Sequence, residues 1–194
     1  IWDIWILQKL AHTAKSVERY LEKFNFSFAS KLLINFFWND YCDWYIESAK
    51  IRIYSREGGE NSDDRKAALT VLWKVLESYL RLLHPFMPYV SETVYSHLIH
   101  TEGSIMVSDW PKPDEAWRFP AEEKTMAALM DAIREVRNIR TQMKVAPARK
   151  ISLIMVSADE TLRGHFADGQ AYLERLAGIG SLKTGTRAQN RIQD

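Results

Sequence analysis

The 194 residues hold one cysteine, eight glycines, six prolines and a formal net charge of only +1. With Cys42 alone, neither an internal disulfide nor a CxxC metal or redox site can form, and a reduced thiol in a cytosolic protein is the expectation. A net charge so near zero sets up no global field for nucleic acid or membrane, so an anionic partner has to be held by a local patch. No apolar run approaches the ~18 residues that cross a bilayer, and no basic-then-apolar leader opens the chain, so a soluble protein with no membrane partner is expected. GxxxxGK[ST], GxGxxG and HExxH patterns are all missing, which leaves nucleotide and metalloprotease chemistry without a foothold and no cofactor expected in this chain. His12, His84, His97, His100 and His165 fall on separate predicted elements, and His97 with His100 makes only an i, i+3 pair without the further ligands that structural zinc requires. Asp40 and Asp43 form a carboxylate pair, but acid–base work also needs a cleft and a partner; hydrogen bonding to neighbouring helices is the competing reading.

What the chain does have is apolar bulk: 46% of it is hydrophobic and 12% aromatic. That supports a main domain with a small appendage. The densest stretch is FFWNDYCDWYI, residues 36 to 46, with seven aromatic or large apolar positions in eleven and no Gly or Pro. A helix so aromatic must be enclosed on most sides. At 100° per residue Asn39, Asp43, Glu47 and Lys50 line one polar stripe, while Phe37, Tyr41, Trp44, Tyr45 and Ser48 spread around the rest.

Other elements follow from spacing and punctuation. Ile4, Leu7, Leu10, Ala11, Ala14, Val17 and Leu21 recur at three- and four-residue steps, a first helix ending near Lys23. Asn25 and Ser27 supply cap chemistry for a second, over about 28–54. A Gly pair and an N-S-D-D cluster mark 55–64 as an exposed loop that ends in a helix start. Leu69, Leu72, Trp73, Leu76, Leu80 and Leu83 define the next helix, which Pro85 must break and Pro88 can reopen as a short one through Leu98. Residues 101–120 lose all periodicity around Pro111, Pro113 and Pro120. They read as a strap pinned by Ile105, Val107 and Trp110. A long helix over about 122–144 carries Leu129, Ile133, Val136, Ile139 and Met143 inward. Beyond Pro147 the period changes: KISLIMVS is a short strand, 158–177 a helix started by Asp159 with Leu162, Phe166, Tyr172, Leu173 and Leu176 inward, and 181–186 a second strand. The final AQNRIQD reads as frayed. The expected fold is mainly α, a helical bundle over 1–146 followed by a strand-helix-strand α/β unit over 147–194.

The chemistry-bearing signal is basic. Arg134, Arg137, Arg140 and Lys144 share one flank of the last long helix, with Arg149 and Lys150 just beyond, and clustered guanidinium groups suit phosphate backbones. A solvated helix face, with Glu135 or Asp131 absorbing charge, is the rival reading.

Three segments carry a resemblance. FFWNDYCDWYIESAK, preceded by the F-x-F-x-x-A-S of Phe26 to Ser30, resembles the anticodon-binding helical domain of the valyl-tRNA synthetase family, class I aminoacyl-tRNA synthetases. YLRLLHPFMPYVSETVY, Tyr79 to Tyr95, is similar to a helix, Pro-kink, helix joint shared with the isoleucyl and leucyl enzymes, and VRNIRTQMKVAP, Val136 to Pro147, to the lead into a small α/β unit. Their order and spacing match over about residues 1–186, and WNDYCDWY points to valine. The resemblance implies an anticodon-binding-type bundle that docks tRNA(Val) in service of ATP-dependent aminoacylation, in a cytoplasmic, monomeric parent enzyme. HIGH-like and KMSKS-like motifs are absent, so the parent's ATP and magnesium chemistry would belong to an upstream catalytic domain and no residue here is assigned to catalysis. The opening IWDIWILQKL, helical from its first turn and without Met, reads as the start of an excised piece. Phosphate contacts are expected from Arg134, Arg137, Arg140 and Lys144, with Asn39 and Lys50 as further tRNA-binding candidates, on chemistry rather than by carry-over from the family. The corresponding isoleucyl domain, or a helical protein-interaction module with an acidic partner, are the alternatives.

Overall fold

A computed structural model describes residues 1–54, 62–99, 101, 103–112 and 119–186. Residues 55–61 of the expected exposed loop, His100, the strap around Pro113 and the tail after 187 lie outside these residues. The chain forms two compact units, Ile1–Phe119 and Pro120–Asp194. The expected boundary at 146/147 falls inside the second.

In the first unit, α1 (Trp2–Glu22) buries Trp2, Trp5, Ile6, Leu10, Ala14 and Val17. It ends where the Phe24 N–H donates to the Leu21 carbonyl at 2.9 Å and the Asn25 N–H to the Tyr20 carbonyl at 2.8 Å, with Phe24 at φ +56°. This double closure satisfies the last carbonyls of the helix and requires a left-handed residue. Asn25 then caps α2 (Phe26–Asn35), its side chain accepting from the Phe28 N–H.

From Phe36 the helix continues but widens: Phe36–Ile46 is wound as a π-helix, and α3 (Glu47–Ile53) resumes the α spacing. The expectation of uniform α winding is therefore corrected, and with it the burial pattern. At 100° per residue Phe36, Tyr41, Trp44 and Tyr45 spread over half the circumference; at the roughly 80° of i→i+5 winding they gather within about a third of it. All four are buried, while Trp38, Asn39 and Asp43 turn to solvent. Trp44 stacks on Trp2 at 6.3 Å between ring centroids, and Trp2 meets the edge of Trp5 at 6.0 Å.

A polar tie holds these helices to α4 (Asp63–Leu83). The Arg52 guanidinium donates to both oxygens of Asp3 at 2.7 and 2.8 Å and to Asp64, while the Tyr45 hydroxyl donates to Asp3 at 2.7 Å. Burial opposes the Arg52 charge, but the hydrogen bonds to Asp64 and Asp3 outweigh it and hold the proton more tightly than usual. Ser62 caps α4 as the N-S-D-D cluster predicts. Buried Glu77 on α4 accepts from Arg81 and Ser78 and lies 3.8 Å from Lys74.

α4 stops at Leu83, and Pro88 opens α5 (Pro88–Ser96) at its first turn. Buried Ser91 stitches this joint, donating to the Met87 carbonyl and pairing with His84 Nδ1 at 2.8 Å. The described part of the strap contains a 3-10 turn, Ile105–Val107, whose Ile105 packs with Leu80 and Tyr95. Val107 is 83% exposed and pins nothing, contrary to the spacing-based expectation.

The second unit is α6 (Pro120–Gln142), β1 (Ile151–Val156), α7 (Glu160–Asp168), α8 (Gln170–Leu176) and β2 (Ile179–Gly185). β1 and β2 pair in parallel, Leu153 opposite Leu182, with an irregularity between Ile151 and Ser152. The single helix expected over 158–177 is broken at Gly169, where an added Cβ would meet the His165 carbonyl at 3.1 Å. α6 buries Met126, Leu129, Met130, Ile133 and Val136; Ile139 and Met143, expected inside, are exposed, and Arg140 is buried in their stead.

Candidate nucleic-acid interface

The six residues proposed from sequence lie in very different surroundings. Arg140 is 9% exposed, and its guanidinium donates to four main-chain carbonyls: Arg149 at 2.9 Å, Ala146 at 3.0 Å, Gly178 at 3.1 Å and Pro147 at 3.2 Å. Its expected place on an exposed flank is corrected. The planar fork clips the turn after α6 to the start of β2, and Gly178, at φ +70°, lets the main chain approach it so closely that a Cβ would lie 3.3 Å from the Arg140 Cζ.

Arg134, Arg137 and Lys144 are exposed. Arg134 pairs with Asp131 at 2.9 Å on the surface, the weaker kind of ion pair that solvent screens. Arg137 donates through Nε to the Leu176 carbonyl at 2.7 Å, which fixes its direction on the surface of the second unit. Lys144 occupies a left-handed position, φ +51°, in the same double closure as Phe24: its N–H donates to the Thr141 carbonyl and that of Val145 to the Arg140 carbonyl. Arg149 and Lys150 are exposed too, Lys150 reaching the Glu174 carbonyl at 3.2 Å. The second unit thus presents a string of solvent-facing cations from Arg134 to Lys150.

In the first unit, exposed Asn39 donates to the Asn35 side chain at 2.7 Å, and half-buried Lys50 pairs with Glu47 one turn away. A groove of about 260 Å³ between α1, α4 and the strap is lined by Lys74, Arg81, Trp110 and Lys112 among others, but Lys74 and Arg81 are already turned to the buried Glu77. No cluster of three or more His, Cys, Asp or Glu fit to hold a metal occurs among the described residues.

Spacing alone did not single out the joint between α1 and α2. There Phe24 is 80% exposed, Phe26 53% and Phe28 52%. Phe28 stacks on Tyr20 at 5.5 Å, Lys31 lies 5.6 Å over the Phe28 ring, and Arg19 lies 5.4 Å over Tyr20. The signal was present as three aromatics at alternate positions right after a helix end.

The chain thus joins a helical unit with a Pro joint to a small α/β unit that bears surface cations, and the sequence comparison gives this arrangement its class. The chain belongs to the family of anticodon-binding domains of tRNA ligases, whose model matches residues 3–155. Its relatives are more particular: it is 37% identical over 187 residues to a valine–tRNA ligase of Bacillus anthracis and 39% identical over 186 residues to one of Geobacillus stearothermophilus. A valine–tRNA ligase of Halalkalibacterium halodurans is 37% identical over 186 residues. These alignments cover 95 to 96% of this chain, and the chain spans about a fifth, 20 to 21%, of the length of the curated relatives it matches.

Proposed function

We propose that this chain is the tRNA-docking part of a valine–tRNA ligase, holding tRNA(Val) through its anticodon stem-loop region while another part of the same polypeptide attaches valine at the expense of ATP. The observation that carries this reading is the family match over 3–155 joined to relatives named valine–tRNA ligase at 37 to 39% identity. The amino-acid choice follows from those relatives and disfavours the isoleucyl alternative. In this reading ATP and magnesium belong to the catalytic part of the parent polypeptide. A monomeric, cytoplasmic parent is part of the same proposal; no described helix is long and apolar enough to cross a membrane.

In this reading phosphate contacts come from Arg134, Arg137 and Lys144, with Arg149 beside them. Arg140 acts indirectly, by holding the turn that bears Lys144 and Arg149. Asn39 and Lys50 remain candidates for contacts from the first unit. RNA recognition of this kind combines cations on phosphates with unpaired bases that are stacked and hydrogen bonded. The test is fluorescence anisotropy of labelled tRNA(Val) with the chain across a salt series. Affinity falls steeply with salt, and Arg134→Gln with Arg137→Gln weakens it at low salt while leaving the melting temperature near wild type. Absence of binding at low salt would count against docking by this part of the protein.

A further inference from the structure

Resting on that RNA-binding reading, we propose that the joint between α1 and α2 is a stacking platform for unpaired RNA bases, with Phe24 as its outermost ring. The left-handed position that closes a helix is usually glycine, because a side chain there crowds the backbone. Here it is phenylalanine at φ +56°. A bulky residue in this region is rare, and it persists where something else repays the strain. Burial does not: the ring is 80% exposed and, among the described residues, meets the ring of Phe26 edge-on, at 6.3 Å and 78°. The fold bears the strain and gains no packing from it, so the ring is set out toward a partner.

The surroundings identify the partner's chemistry. Phe26 and Phe28 expose half their surface beside it, and Phe28 is braced against Tyr20 with nearly parallel planes, 20° apart. Between residues 18 and 31 stand three cations, Arg19, Lys23 and Lys31, against two carboxylates, Glu18 and Glu22. Two of the cations lie over rings, so charge and aromatic faces occupy the same patch. An apolar peptide has no charge to set against such a patch, and a duplex has no free base faces to offer. A single strand answers both: bases stack on rings regardless of sequence, and its phosphates meet the cations.

The experiment uses the whole 194-residue chain and an unstructured oligoribonucleotide about eight nucleotides long carrying 2-aminopurine, whose fluorescence is quenched on stacking. Binding quenches the probe. Phe24→Gly lowers the affinity roughly five- to one-hundred-fold, the range for loss of one aromatic platform, while the melting temperature rises because the left-handed position is relieved. Phe24→Trp keeps a stacking face at the same position and retains binding. An unquenched probe with the wild-type chain, a Phe24→Gly variant that binds as tightly as wild type, or a Phe24→Trp variant as weak as the Gly one each overturns the platform. A chain that holds tRNA(Val) yet leaves the probe unquenched keeps the docking reading and removes only this site. Quenching that depends on Phe24, without tRNA(Val) binding, supports the platform and removes the docking reading.

Discussion

Arg140 shows how much a single side chain's surroundings decide. Spacing grouped it with Arg134, Arg137 and Lys144, yet its fork is used up on four carbonyls of its own unit. Lysine keeps the charge but has no planar fork, and a buried carbonyl without a donor costs about 1–3 kcal/mol. Arg140→Lys is therefore expected to destabilise the protein by about 2–3 kcal/mol, whereas Arg134→Gln, at an exposed pair, stays within about 0.5 kcal/mol. Urea melts of the two variants measure this; equal midpoints would refute the clip. A second expectation at this scale concerns the buried phenols. Burial raises Tyr41, Tyr45 and Tyr79 above the ordinary value of 10.0, Tyr79 to about 12, with nearby Cys42 adding to the Tyr79 shift. The protonated form is favoured in the folded state, so the stabilisation is complete below pH 10 and is lost as pH rises toward 12, where the unfolded chain has already released these protons. Thermal melts from pH 8 upward should show the loss beginning near the ordinary phenol value; a midpoint flat through pH 12 contradicts it.

Among the elements, the π-wound segment governs the core of the first unit. Its winding, not its composition, decides which tryptophan is inside: Trp44 is 6% exposed and Trp38 60%, though both stand in one aromatic run. Trp44→Ala should cost about 3–5 kcal/mol, since it empties a cavity beside Trp2, while Trp38→Ala should change stability by no more than about 0.5 kcal/mol. Comparable losses in chemical denaturation would rule out the wider winding. The helices themselves were legible because capping and proline signals are local: Asn25, Ser62, Pro88 and Asp159 all stand where their chemistry places them. The π winding was not, because a 100° template has no way to register an i→i+5 ladder. Nor was the inward turn of Arg140, since its acceptors come from carbonyls after the helix and beside β2, and no periodicity reports where main-chain oxygens will gather. At the α1–α2 joint the aromatics were visible, but a ring's exposure depends on the backbone sign at Phe24, which sequence reads as glycine's province.

For the molecule as a whole, a net charge of +1 means that attraction for RNA has to be local. A uniformly basic protein loses affinity gradually as any cation is removed, whereas here only the cations that touch phosphates should matter. Each lysine or arginine that neutralises a phosphate contributes a little under one to the slope of log affinity against log salt. Replacing Arg134, Arg137 and Lys144 together with glutamine should reduce the slope for tRNA(Val) by about two to three. Replacing three exposed cations of the first unit away from the α1–α2 joint, Lys66 being one, should leave the slope unchanged, although the net charge falls equally. If both triple variants flatten the slope alike, the attraction is diffuse and the string of cations from Arg134 to Lys150 is no docking surface. If only the first does, the small α/β unit supplies the electrostatic grip, and Phe24 and its neighbours supply a part of the affinity that salt does not remove.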